Sequence, residues 1–135
     1  MTRHPAIVVH GLADVQQALA ARRPVTLLSA PGAGLYAGCL WWRSLIAQAQ
    51  QLGPRLVAAD ILDCADAPGR ALEALRIGQR IMVLAPEAPG RDAVAAIASL
   101  LGVTLLAQRP PALDLAQPDA ARTLEEWLRV TGQGA

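Results

Sequence analysis

The chain has 135 residues, enough for one domain with a real core, and a formal net charge of only +1, so nothing in its length or charge points to nucleic acid or an anionic membrane surface. Hydrophobic residues make up 53% and charged residues 17%, a balance that calls for strands buried on both faces or for surface hidden in an oligomer. All 12 basic residues are arginine, which excludes a Walker-type lysine, Schiff-base chemistry on lysine and a kinase lysine.

No apolar run approaches the roughly 18 residues that cross a bilayer. The opening stretch, MTRHPAIVVHGLADV, lacks the long apolar region of a signal peptide. Cys39 and Cys64 are too few for a disulfide framework. Reduced thiols and a cytoplasmic location are therefore expected. The histidines are His4 and His10, and no His or Cys pair has ligand spacing, so no metal is expected.

Along the chain, short apolar runs alternate with stretches of helical period. The first run is AIVV (6–9), followed by the helical LADVQQALAAR. VTLL (25–28) comes next, then a glycine-rich loop and the long apolar segment LYAGCLWWRSLIAQAQQLG. RLVAADIL (55–62) precedes PGRALEALRIG, and IMVL (81–84) precedes PGRDAVAAIASLLG. A second VTLL (103–106) closes the series. The runs are rich in Val, Ile and Leu without polar alternation, as strands buried on both faces are. Several helical stretches end in glycine, as helix C-caps do.

This alternation predicts an α/β fold: a three-layer αβα sandwich around a mainly parallel sheet of about five strands, Rossmann-like or flavodoxin-like in winding. Residues 1–135 are expected to form a single domain. The three prolines between Arg109 and Pro118 predict an extended surface segment over 109–118, neither regular helix nor central strand. An Asp-capped amphipathic helix is predicted over 119–132, with Ala120, Ala121, Leu124, Trp127 and Leu128 on one stripe.

The triplet APG recurs at 30–32, 67–69 and 88–90, each time shortly after a predicted strand. Proline suits a helix's first turn. Asp66 and Glu87 stand four residues before Arg70 and Arg91, the spacing of a helical ion pair.

In a parallel sheet the strand-to-helix loops gather at the carboxyl edge, where open α/β sheets bind ligands. That edge should carry His10 and Gly11, then Ser29, Gly32 and Gly34, then Asp60, Asp63, Cys64 and Asp66, then Glu87, and finally Gln108 and Arg109. Ser29, Gly32, Gly34, Asp60 and Asp63 are the expected ligand-binding residues. The stretch Gly32-Ala-Gly34-Leu-Tyr-Ala-Gly38 resembles the dinucleotide-binding fingerprint, with Asp60 placed like the carboxylate that holds ribose hydroxyls. The resemblance covers residues 25–60 and implies a nucleotide or other anionic ligand. It departs from the pattern in following the second strand and in having Pro31, which lacks an N–H. A tight corner with close helix–sheet packing explains the same glycines.

The segment CADAPGR sets Cys64 and Arg70 at the spacing of the anion-binding loop of cysteine phosphatases and some rhodanese-like domains, which it resembles. That resemblance implies a thiol-dependent enzyme with Cys64 as nucleophile, Arg70 holding an oxyanion and His10 as a candidate base. Asp66 and Pro68 inside the loop depart from it. Finally, adjacent helical positions such as Trp41 and Trp42 point about 100° apart, and the helix around them is apolar on most sides. It predicts a homo-oligomer contact, through this helix or the Trp127 helix. Three functions thus stand as expectations: binding of a small anionic ligand or nucleotide at the carboxyl edge, thiol enzymology, and a non-catalytic oligomeric or partner-binding subunit.

Overall fold

The computed structural model describes residues 4–133, with side chains to residue 129. A single parallel sheet of six strands is flanked by helices, in the order β5-β4-β3-β2-β1-β6. In chain order the elements are β1 (Ala6–Val8), α1 (Leu12–Leu19), β2 (Val25–Leu28), α2 (Ala33–Tyr36), α3 (Cys39–Leu52), β3 (Val57–Asp63), α4 (Pro68–Arg76), β4 (Ile81–Val83), α5 (Arg91–Leu101), β5 (Thr104–Leu106), β6 (Ala112–Asp114) and α6 (Ala120–Gln133). The α/β class, the parallel sheet and the C-terminal helix are those the apolar runs predicted.

The sixth strand is the difference. Ala112–Asp114 pairs in parallel with β1, matching Ala6 to Ala112 and Val8 to Asp114, within the segment expected to be merely extended. Pro110, Pro111 and Pro118 all fall outside the three paired residues. β6 is also an edge strand, where proline neighbours are tolerated because one side of the ladder needs no partner.

The chain divides into two compact units. One comprises the chain up to Leu28, Leu45–Asp60 and the part from Pro110 onward; the other comprises Ser29–Ser44 and Ile61–Arg109. In the first, Ile7, Val9, Val15, Val25, Leu27 and Leu28 are fully buried. β1 and β2 are matched Ala6 to Thr26 and Val8 to Leu28, and the ladder continues with Val9 N–H donating to the Leu28 carbonyl at 3.0 Å. Trp127 on α6 donates its indole N–H to the Ala6 carbonyl at 3.0 Å, which gives this half-buried ring a polar anchor as well as a packing role.

In the second unit, β4 pairs with β3 and β5, with Met82 opposite Leu62 and Leu105. Pro68 opens α4 at its first turn, as its missing N–H allows. The other two APG triplets differ. Pro31 and Pro89 lie ahead of α2 and α5, whose N-caps are Gly32 and Gly90 in the left-handed conformation. The expected ion pairs to Asp66 and Glu87 do not form. Arg70 pairs with Glu73 at 3.0 Å, and Arg91 donates from Nε to the Leu84 carbonyl at 3.0 Å.

The predicted long helix after the glycine loop is broken. One turn, α2, ends before Gly38 (φ +92°), and α3 starts at Cys39. On α3 the residues Trp42, Leu45, Ile46 and Ala49 are buried, an i, i+3, i+4, i+7 stripe. Trp41 and Trp42 divide as their spacing requires: Trp42 is fully buried while Trp41 is half-exposed, their ring centroids 5.9 Å apart. Truncation should therefore separate the helix faces. Trp42→Ala is expected to cost about 3–5 kcal/mol of stability through cavity formation, whereas Leu40→Ala, at a side chain 71% exposed, should change it by no more than about 0.5 kcal/mol. Chemical denaturation of both variants measures the difference.

Candidate functional site

At the carboxyl ends of β3, β4 and β5 lies an open hollow of about 370 Å³. Its walls are Pro31, Gly32, Ala65, Val83, Ala85 and Ala107, and its polar members are Asp63, Gln108 and Arg109. The volume lies within the range of small-molecule sites, and the surface turned to the hollow is almost entirely apolar.

Arg109, just past β5, reaches back to the ends of two other strands. Its Nη1 donates both hydrogens, one to the Ser29 carbonyl at 3.0 Å and one to Asp63 Oδ2 at 2.8 Å. Asp63 Oδ1 accepts the Ala65 N–H at 2.8 Å. The Asp63 side chain is 6% exposed and that of Arg109 25%, so the pair is largely withdrawn from water and its charge-assisted hydrogen bond is the stronger for it. With Nη1 fully used, Nε and Nη2 have no partner among the described residues. Those two nitrogens form one edge of the guanidinium fork, the edge that takes a carboxylate or phosphate with two parallel hydrogen bonds.

The predicted ligand residues fall into three groups. Gly32 and Asp63 line the hollow. Ser29 stands behind it: the side chain is fully buried, with its hydroxyl donating to the Ala30 carbonyl at 3.1 Å and accepting the Asp63 N–H at 3.0 Å. It positions Asp63 and, through its own carbonyl, Arg109. Gly34 and Asp60 take no part in this lining. A β-carbon at Gly34 would sit 3.0 Å from both the Asp63 carbonyl oxygen and Cys64 Sγ. Gly34 therefore lets α2 approach the end of β3 closely. Asp60 lies inside β3, three residues before its end, half-exposed.

Arg109 is the residue whose importance spacing did not reveal. It stood among the polar residues of the edge, but its partners are 80 and 46 positions away. The available signal was weak: an arginine following the last buried run.

Cys64 is not the low-pKa thiol that its spacing to Arg70 predicted. It is fully buried, its N–H donates to the Val83 carbonyl at 2.8 Å, and its pKa is pushed up to about 12. Burial is the largest cause, followed by the charge of Asp63 and then Cys39. A buried thiol of raised pKa is a poor nucleophile. Arg70, exposed and paired with Glu73, lines a different hollow of about 380 Å³ whose sulfur is that of Cys39.

His10 belongs to the other unit. Its Nε2 lies 2.7 Å from Asp114 Oδ1 at the end of β6, and its backbone N–H donates to Asp14 Oδ2 at 2.8 Å. Asp114 also accepts the Ala116 N–H at 2.9 Å. The pair ties the segment after β1 to the end of β6.

No known family model matches the chain, and no curated protein is significantly similar to it.

The state of Cys64 has a pH consequence. The unfolded chain ionises this thiol near its ordinary 9.0 and the folded chain only at about 12. Its contribution favours folding fully below pH 9 and is lost as the pH climbs from about 9 to about 12. Alkaline unfolding of Cys64→Ala should accordingly occur at higher pH, relative to its own neutral-pH stability, than that of the unaltered chain. In the folded protein at pH 8, iodoacetamide should modify Cys39 and spare Cys64, as peptide mass spectrometry would show.

Proposed function

We propose that this protein binds a small anionic ligand in the hollow at the ends of β3, β4 and β5. One observation carries the reading: Arg109 is held by two hydrogen bonds from Nη1, while Nε and Nη2, its anion-binding edge, have no partner among the described residues. A guanidinium already oriented loses little freedom when an anion docks, which favours binding over a mobile surface arginine. Gly32 borders the hollow and Asp63 holds the arginine in place. Both cysteines are free thiols, which fits a reducing compartment, and a cytoplasmic location forms part of the same proposal. Among the described residues no helix is long and apolar enough to cross a membrane.

The test is a thermal-shift panel of small carboxylates, phosphate and phosphate esters at constant ionic strength. Some members should raise the melting temperature of the unaltered protein. Arg109→Lys, which preserves a cation for Asp63 but lacks the fork, should abolish the shift while leaving the circular dichroism spectrum unchanged. A panel without any response would reject the reading, as would a response that persists in Arg109→Lys.

A second reading, assembly of identical chains, is favoured by apolar side chains left in water. Tyr36 is 69% and Leu40 71% exposed, beside the hollow that also carries Ile77. Trp42 is unavailable, being buried within its own chain. We place the contact on Tyr36 and Leu40 instead. Light scattering should find a dimer or larger species that Leu40→Glu dissociates; a monomer at high concentration would contradict it.

A further inference from the structure

The same hollow carries a statement about ligand class, which rests on the anion-binding reading above. We infer that the site takes a monocarboxylate with a compact apolar body and discriminates against phosphate, phosphate esters and nucleotides.

Asp63 and Arg109 are the charged members of the lining, one of each sign, 2.8 Å apart. The guanidinium's charge is thus largely offset before a ligand arrives. A single carboxylate gains two charge-assisted hydrogen bonds on the Nε–Nη2 edge and meets only the residual repulsion of Asp63. A phosphate near neutral pH carries close to two charges. The second charge finds no further cation in this lining and faces the buried carboxylate at short range, where water screens poorly.

The walls add to this. Pro31, Ala65, Val83, Ala85 and Ala107 present methyl groups, a methylene ring and an isopropyl group. An aliphatic body removes that surface from water, a gain that grows with each CH₂ buried. A ribose or an inorganic anion has hydroxyls and oxygens to place there, and the Pro31, Ala65, Val83, Ala85 and Ala107 side chains offer them no partner. Specificity here arises as much from what the site fails to satisfy as from what it holds.

The experiment titrates the full-length protein with 3-methylbutanoate, inorganic phosphate and AMP at fixed ionic strength, following the Arg109 Nε–H resonance and the heat of binding. The inference expects 3-methylbutanoate to shift that resonance saturably and to bind at least about tenfold more tightly than phosphate or AMP, the discrimination expected when a site leaves a competitor's polar groups unpaired. Ala107→Glu, at an exposed rim position that adds a like charge without touching the core, should weaken 3-methylbutanoate by about tenfold or more. Equal or tighter binding of phosphate or AMP at Arg109 would overturn the carboxylate preference and leave the anion-binding reading standing. Binding of 3-methylbutanoate that Ala107→Glu leaves unchanged would place it elsewhere and overturn the inference. If no anion moves the Arg109 resonance, both fall.

Discussion

The two hydrogen bonds from Arg109 Nη1 are the constraint on which the candidate site depends. Asp63 is a carboxylate at the end of a central strand with only 6% of its side chain exposed. A buried carboxylate is tolerable only if it is paired and its oxygens are satisfied. Ala65 N–H supplies one hydrogen bond and Arg109 supplies the charge. Removing one partner of such a buried pair costs on the order of 3 kcal/mol, because the other is left uncompensated. The Ser29 carbonyl then takes Nη1's second hydrogen, so the segment after β5 is fastened to the end of β2 as well as β3.

The surrounding residues are consistent with that constraint. Ala65 adopts φ +53° without being glycine. A non-glycine residue there costs about 1–2 kcal/mol, and the position is held by its N–H on Asp63 and by the Ala85 N–H on its carbonyl at 2.8 Å. Strain maintained by its neighbours is a common mark of a functional loop. Gly34 permits the close approach of α2 beneath the same loop, and Ser29 spends its hydroxyl on the Asp63 backbone. The glycine-rich loop is therefore largely an instrument of packing, and its contribution to the hollow is Pro31 and Gly32, the latter at φ +73°. The adjacent Cys64 fits the same picture: the burial that makes its thiol inert also makes the end of β3 a dry wall.

Much of the fold was legible because parallel strands buried on both faces write themselves as short Val, Ile and Leu runs, and because helix ends leave glycine marks such as Gly102, the left-handed cap of α5. β6 was not legible, since its identity depends on pairing with β1 and not on its own composition, and three neighbouring prolines argued against it. The helix faces were partly legible: neighbouring tryptophans had to diverge, but only the packed structure decides that Trp42 is the buried one. Local ion-pair spacings misled. Arg70 and Arg91 each found a nearer or stronger acceptor than the carboxylate four residues earlier. The site itself was half legible. Gly32 and Asp63 followed from the position of the carboxyl edge, whereas Arg109 is defined by partners distant in sequence, which no local pattern encodes.

Arg109 is thus proposed as a preset anion fork whose Nη1 side is structural and whose Nε–Nη2 side is for a ligand. A crystal structure of the protein grown with 3-methylbutanoate tests this most directly. The carboxylate should be bidentate on Nε and Nη2, with the branched carbon tail against Val83 and Ala85 and the Nη1 bonds to Ser29 and Asp63 unchanged. A guanidinium turned away from Asp63, or a carboxylate bound elsewhere while the hollow holds only solvent, would contradict it.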